Sequence, residues 1–346
     1  MKKRSILVTA VVIVLSLLLA ACGQPAAPAP PVAPPPADAD PAAVDFDRSE
    51  YFITVLTGPT SGIFYPIGGG FFQVATAAGY PSSVTATGAS VANINALLTG
   101  NGEIAISMID AAVQAVEGTH AFEDAEPATE LRSMMGLWVN VVQIVTTEGS
   151  GIYTFEDMRG RRVGVGPPGS GVELNARMMF AAHGMTYDDV IPDFLSYGEA
   201  IDQMRNGLVD AAFVTTGLGN ATILELGIDH EIVFIPVDGE ARQRLLDEFP
   251  FYIPYVIPTE TYDTAVPTET VGLVNIMLTH VDIPDYVIYD LLYHFLSDDG
   301  LALIQATHIQ AYTHIRPELA LRGLTGHSVP MHDGAIQFFQ SRGMMD

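Results

Sequence analysis

The stretch 164–177, GVGPPGSGVELNAR, holds the residue types best suited to gripping an anion. A short apolar run from Arg162 to Val165 leads into Gly166-Pro167-Pro168-Gly169, which cannot continue a strand. Ser170 then stands as a natural N-cap for a helix with Leu174, Met178 and Ala181 on one face. The first turn of such a helix offers backbone N–H groups without intrahelical acceptors and a partial positive charge, which suits a carboxylate or phosphate. Gly169, Ser170 and Gly171 are therefore expected to bind ligand, against the plainer reading of a strand-to-helix turn that binds nothing. A nucleotide-hydrolysing phosphate loop would need Lys-Ser/Thr after its last glycine, and Val172-Glu173 follows instead.

Other positions offer the same kind of chemistry. Thr87-Gly88-Ala89-Ser90 is a second Gly/Ser turn at a helix start, with Ser90 and Asn93 in the first turn; capping accounts for Ser90 but not for Asn93, which makes Asn93 the stronger ligand contact. Glu173 suits the ammonium group of an amino-acid ligand, although an acid there also complements the helix dipole. Tyr65 is placed to offer its hydroxyl from the start of a helix, and Trp138, the only tryptophan, either packs beside the ligand or is simply buried. Arg177, two turns into its helix, reads as a surface or interlobe ion pair. The nine histidines form no metal pattern: HExxH is absent, and the pairs His327/His332 and His308/His314 have no matching acidic or thiolate cluster. No metal and no cofactor is expected, and no nucleophile-elbow motif supports hydrolysis.

The elements that must position these residues alternate. From Tyr51 onward short apolar strands and amphipathic helices succeed one another, which predicts an α/β architecture with mainly parallel sheets. Strands are expected at 52–56, 84–86, 104–108, 162–165, 194–197, 211–214 and 232–237, with a return strand at 273–279. Helices are expected at 64–78, where Gly68 to Gly70 weaken the pattern, and near 199–206 and 219–227. Asp110 is expected to cap a further helix, and Ile288, Leu291, Leu292 and Phe295 mark another. The apolar run from Trp138 to Thr146, broken by Asn140 and Gln143, reads as a strand passing between two lobes. Two crossings would bring Gly-rich turns of both lobes around one cleft.

Length and composition set the frame. A chain of 346 residues can bury a sizeable core, and the usual domain size suggests two domains. Lys2, Lys3 and Arg4 precede an apolar run from Ile6 to Ala21 and then Cys22, the order of a secretory signal. Leu19-Ala20-Ala21-Cys22 resembles the bacterial lipobox, so Cys22 is expected to carry a lipid; an uncleaved anchor is the alternative, but the run is short for a full span. Cleavage there removes three basic residues and no acid, taking the formal charge from −25 to −28 and leaving no lysine. Such a chain is a poor partner for nucleic acid, whose phosphates require clustered Lys and Arg. The single cysteine excludes a disulfide within the chain. Gln24 to Ala43, almost all Ala and Pro, reads as an extended spacer.

Five blocks in order, Ser61-Gly62-Ile63-Phe64-Tyr65-Pro66, Thr87-Gly88-Ala89-Ser90-Val91-Ala92-Asn93, Gly166 to Gly171, Val214 to Gly219, and Val329 to Ala335, resemble the TAXI family of TRAP-transporter solute receptors. The resemblance runs from about Tyr51 to the C-terminus. It implies a two-lobed type II periplasmic-binding fold with a ligand cleft between the lobes. The partition it implies is a lipoprotein signal at 1–21, lipidated Cys22 and linker at 22–49, a first lobe at 50–140 and 273–346, and a second at 141–272. It further implies an extracytoplasmic, membrane-anchored receptor, not an enzyme, that takes a small carboxylate or amino-acid solute, glutamate-like or 2-oxoglutarate-like, to TRAP permease subunits. Gly62, Phe64, Gly88, Gln143 and Gly217 join the expected ligand-binding residues on this ground. This chain departs from the family in reading Gly88-Ala89-Ser90 for the frequent Gly-Gly-Ser, in carrying Asn140 and Gln143 where acidic or histidine side chains are common, and in lacking the proline of Gly-x-Pro after Val214. A sensory receptor of the same fold feeding a signalling partner is the alternative. In the anion-cradle reading, Ser170→Ala weakens binding by about tenfold or more, and Gly171→Val crowds the ligand.

Overall fold

The computed structural model describes residues 45–345; the signal segment, Cys22 and most of the linker lie outside the described residues. The strands are β1 (Ile53–Leu56), β2 (Ser82–Thr85), β3 (Ile104–Met108), β4 (Leu131–Thr147), β5 (Arg162–Gly164), β6 (Ile191–Asp193), β7 (Ala211–Thr216), β8 (Ile232–Phe234), β9 (Tyr252–Ile257) and β10 (Thr268–His280). The helices are α1 (Phe64–Ala77), α2 (Ser90–Leu98), α3 (Ile109–Glu117), α4 (Gly171–Ala182), α5 (Tyr197–Arg205) and α6 (Ala221–Asp229), followed by α7 (Gly239–Glu248), α8 (Thr259–Tyr262), α9 (Asp285–Phe295), α10 (Asp298–Gln305), α11 (Ile309–His314) and α12 (Asp333–Ser341).

All ten strands belong to one sheet of order β2-β1-β3-β10-β4-β7-β5-β6, with β9 added to β10 and β8 to β4. Pairing is parallel within each lobe, β1 with β2 and β3, β5 with β6 and β7. It is antiparallel wherever β4 or β10 takes part. The sheet is therefore mixed rather than mainly parallel. The reason is that two long strands serve both lobes. β4 pairs with β10 along 131–141 and with β7 along 141–146. β10 pairs with β9 along 268–273 and with β3 along 275–279. The result is a mixed α/β sheet whose two halves, here called lobes, are joined through the long strands β4 and β10.

β4 is buried along almost its whole length, so it reads as a continuous apolar run instead of an alternating one. Its two interior amides are hydrogen-bonded to neighbouring elements of the sheet and to α8. Asn140 Nδ2 donates to Asn275 Oδ1 at 3.2 Å, and Asn275 Nδ2 donates to the Trp138 carbonyl at 3.1 Å. Gln143 Nε2 donates to the Thr216 carbonyl at 3.1 Å, while its Oε1 accepts from Tyr262 at 2.6 Å. Buried amides satisfied in this way fix the register of the crossing strands.

The glycines of α1 have a packing role. A Cβ on Gly68 would stand 2.2 Å from Thr57 Cγ2, and one on Gly70 would stand 2.9 Å from Ile304 Cα. Their lack of side chains lets α1 press on β1 and on α10, so the helix runs through them. The N-terminal end of the described chain is fastened to the same lobe. Arg48 grips Asp290 of α9 with two hydrogen bonds of 2.8 and 2.6 Å, and Tyr80 donates to the same carboxylate at 2.7 Å. The expected strand at 194–197 is instead β6 three residues earlier, because Ser196 caps α5 through a capping box with Glu199.

Candidate functional site

Between the lobes lies a narrow cleft of about 40 Å³. Helix N-termini converge on it. Lobe one contributes Ser61, Ile63 and Phe64 at the start of α1, Ala89 at the start of α2 and Met108 before α3. Lobe two contributes Ser170 and Val172 at the start of α4 and Ser196 and Tyr197 at the start of α5. Asn140 of β4 and Thr215 and Thr216 of β7 lie at the crossing strands. No charged side chain is among the lining residues of this cleft.

The donors exceed the acceptors. α1 and α2 begin at Ile63 and Ala89 without any side-chain cap; the Phe64 and Tyr65 N–H groups of α1 and the Ser90 and Val91 N–H groups of α2 lack intrahelical acceptors by helix geometry, while Pro66 has no N–H and the Ala92 N–H is taken by the Gly169 carbonyl. In α4 the N–H groups of Gly171 and Val172 lack intrahelical acceptors by helix geometry. Thr215 is fully buried, and its hydroxyl has no hydrogen-bond partner although it lines the cleft. The acceptors nearby are already used. The Thr215 carbonyl takes the Tyr197 hydroxyl at 2.6 Å, and Asn140 Oδ1 takes the Trp138 indole N–H at 2.8 Å. Burial pushes the Tyr197 phenol pKa up, which keeps it a neutral donor.

Ala89 is strained. Its φ is +74° with ψ −145°, a region that side-chain-bearing residues rarely enter. The middle position of Gly88-Ala89-Ser90 thus holds a backbone conformation that glycine adopts freely and alanine does not.

The lobes touch. The Ala92 N–H donates to the Gly169 carbonyl at 3.3 Å across the cleft. A Cβ on Gly171 would lie 2.8 Å from Ser90 Oγ and 3.1 Å from Met108 Sδ. Gln310 of α11 donates to the Leu218 carbonyl at 3.2 Å, and a Cβ on Gly217 would lie 2.6 Å from Gln310 Cδ. Deeper still, Asn175 of α4 donates to Asp110 of α3 at 2.9 Å and to the Gly171 carbonyl at 2.6 Å, while Tyr252 donates to Asn175 Oδ1 at 2.9 Å. Burial pushes the Asp110 carboxyl up to about 7, against the hydrogen bonds of Ala111 and Asn175.

The residues expected from sequence divide accordingly. Gly62, Phe64 and Ser170 line the cleft. Gly169, Gly171 and Gly217 instead form the contact between lobes, so Gly171 meets the facing lobe rather than a ligand. Gly88 lies at the same contact, 3.8 Å from the Pro168 carbonyl by its would-be Cβ. Ser90 is not a cap: it is the first residue of α2, and its hydroxyl accepts the Met108 N–H at 3.1 Å. Asn93 is consumed structurally. Its Nδ2 donates to the Thr57 and Ile106 carbonyls at 2.5 and 2.8 Å, and its Oδ1 accepts from Thr87 at 2.5 Å, which ties together the ends of β1 and β3.

Ser170 caps α4 by accepting the Glu173 N–H at 3.2 Å, and its own proton goes to the Pro167 carbonyl at 2.7 Å. It therefore has no donor left for an anion. Glu173 is turned away from the cleft, onto Arg177 at 2.6 Å and the Tyr187 hydroxyl at 3.1 Å. Trp138 is fully buried and packs edge-on against Phe64, ring centres 5.5 Å apart. Gln143 is buried within the crossing strands, and Tyr65, half-buried, is not among the lining residues. Asp110 is no cap either, since Met108 holds that position of α3.

Residues 55–343 match the model of the NMT1-like family. The chain belongs to the NMT1-like family. This family member is similar to solved structures at low identity. A protein from Bordetella bronchiseptica RB50 is 15% identical over 85% of this chain and 89% of its own, with a TM-score of 0.48. The periplasmic aliphatic sulphonate binding protein SsuA from Escherichia coli is 13% identical over 85% and 88%, with a TM-score of 0.44. Among the described residues of this NMT1-like chain no helix is long and apolar enough to cross a membrane, and no group of three His, Cys, Asp or Glu is placed to hold a metal ion.

Sequence reasoning misses Thr215, Tyr197, Ser196 and Met108. Thr215 had one signal, a polar pair ending an otherwise apolar strand; the others become site residues only when the lobes are brought together.

Proposed function

We propose that this chain is an extracytoplasmic solute receptor whose lobes close on a small organic anion and hand it to a TRAP-type membrane permease. The observation that carries the reading is the convergence of helix N-termini on one cleft beside an unpartnered, fully buried Thr215 hydroxyl. Uncapped N–H groups and aligned peptide dipoles favour negative charge without any cationic side chain. A carboxylate is the anion proposed, held by neutral donors. The crossing strands β4 and β10 supply the hinge, and ligand contacts made only when the lobes meet would shift the population toward closure. Cys22, outside the described residues, is proposed as the lipid anchor that keeps the receptor at the membrane.

Thermal-shift screening of the chain with carboxylates, sulfonates, phosphonates and amines tests the reading, because a ligand that binds only the folded state raises its melting temperature by mass action. Carboxylates are expected to give the rise. A response confined to amines would reject an anion receptor.

A further inference from the structure

We infer that the solute carries anionic charge and no cationic group, so that among matched acids the cleft takes the oxo or deaminated acid and rejects the α-amino acid. This rests on the anion-receptor reading above and narrows it. An α-ammonium entering the cleft needs a counter-charge, since an unpaired buried ammonium is strongly disfavoured. The cleft offers none among its lining side chains.

The nearest carboxylates are committed elsewhere. Glu173, the sequence's candidate for an ammonium contact, is bound to Arg177 and Tyr187 on the far side of α4. Asp110 is fully buried in the joint between the lobes, where Ala111 and Asn175 occupy both of its oxygens at 2.8 and 2.9 Å. Neither residue lines the cleft.

Three neutral acceptors are occupied too. Asn140 Oδ1, the Thr215 carbonyl and Ser170 Oγ each already receive a hydrogen bond within the protein. What remains is a set of donors: the first two N–H groups of α1, α2 and α4, and the orphan hydroxyl of Thr215. The Thr215 hydroxyl is an observation separate from the helix ends and adds a neutral group able to donate to an anion. Helix dipoles aimed into the cleft from both lobes raise its potential further against a cation.

Calorimetric titration of the full-length chain in detergent tests this with three matched pairs: glutamate and 2-oxoglutarate, leucine and 4-methyl-2-oxopentanoate, phenylalanine and phenylpyruvate. In each pair that binds, the oxo acid is expected to bind about a hundredfold or more tighter than the amino acid. Equal or tighter binding of the amino acid overturns the inference while leaving an anion receptor standing. Binding by neither member of any pair takes down the anion-receptor reading, and this inference with it.

A second measurement isolates the cause. Ser61 sits exposed on the lip of the cleft before α1, so Ser61→Asp adds a carboxylate there without disturbing the core. The amino-acid member of a binding pair is expected to gain at least about tenfold relative to its oxo partner. An unchanged ratio would mean that missing counter-charge does not set the selectivity, and the inference fails.

Discussion

Asp110 on α3 and Asn175 on α4 meet across the boundary between the lobes, Asn175 Nδ2 donating to the carboxyl at 2.9 Å in a fully buried joint. Tyr252 completes the chain of bonds from β9, through Asn175 Oδ1. The hydrogen-bond partners of Asp110 in this joint are neutral, and burial pushes its pKa up to about 7.

Folding therefore takes up a proton at this joint. In the unfolded chain the carboxyl is hydrated and titrates near its ordinary value, so between about pH 4 and 7 the folded state binds more protons. A raised carboxyl pKa gives stabilisation that is present in full below the ordinary value and is lost as pH rises through the raised one. The melting temperature of the wild type is expected to fall over that interval relative to Asp110→Asn, which lacks the titration. Parallel pH profiles for the two proteins would mean that Asp110 does not set the pH dependence of stability.

Ala89→Gly is expected to stabilise the protein. The strained φ of Ala89 costs about 1–3 kcal/mol, whereas glycine loses about 0.5–1 kcal/mol of chain entropy. The net gain should appear as a melting temperature higher by a few degrees in calorimetry. A lower one would mean that the backbone at this turn relaxes without glycine.

Thr215→Val should move stability and binding in opposite directions. Removing a buried hydroxyl that has no partner relieves about 1–3 kcal/mol of desolvation in the ligand-free protein. Loss of a donor to a charged group costs about 1.5–3 kcal/mol in the complex, tenfold or more in affinity. Higher melting temperature with weaker binding is the expected pair of results; unchanged binding would place the solute away from β7.

Ser170→Ala is expected to lower stability by about 1 kcal/mol through loss of the α4 cap, with affinity changed far less than the tenfold the sequence suggests. Its hydroxyl proton is already given to the Pro167 carbonyl. A tenfold loss of affinity at unchanged melting temperature would show that the hydroxyl reorients toward the solute.

Gly171→Val should act as a wedge. The added carbons meet Ser90 and Met108 of the opposite lobe, so closure fails for every solute alike. Small-angle scattering is expected to show a larger radius of gyration than wild type, together with lost binding. Lost binding at an unchanged radius would return Gly171 to the ligand surface.

The alternation of strands and helices, the crossing at β4 and the Ser170 cap are written in local pattern, because apolar periodicity and turn chemistry depend on neighbours a few residues away. The sequence by itself therefore determines the α/β class, the uncharged Gly/Ser turns and the acidic, lysine-poor chain beyond residue 4. It cannot say what each polar side chain spends its hydrogen bonds on. Asn93 looks free until the Thr57 and Ile106 carbonyls, 36 and 13 residues away, are folded onto it. Gly171 looks like a ligand contact until Ser90 arrives from the other lobe, and Glu173 looks available until Arg177 and Tyr187 claim it. Only the tertiary structure decides these, and it decides Thr215 as well, since an orphan hydroxyl is defined by the partners that long-range packing fails to bring.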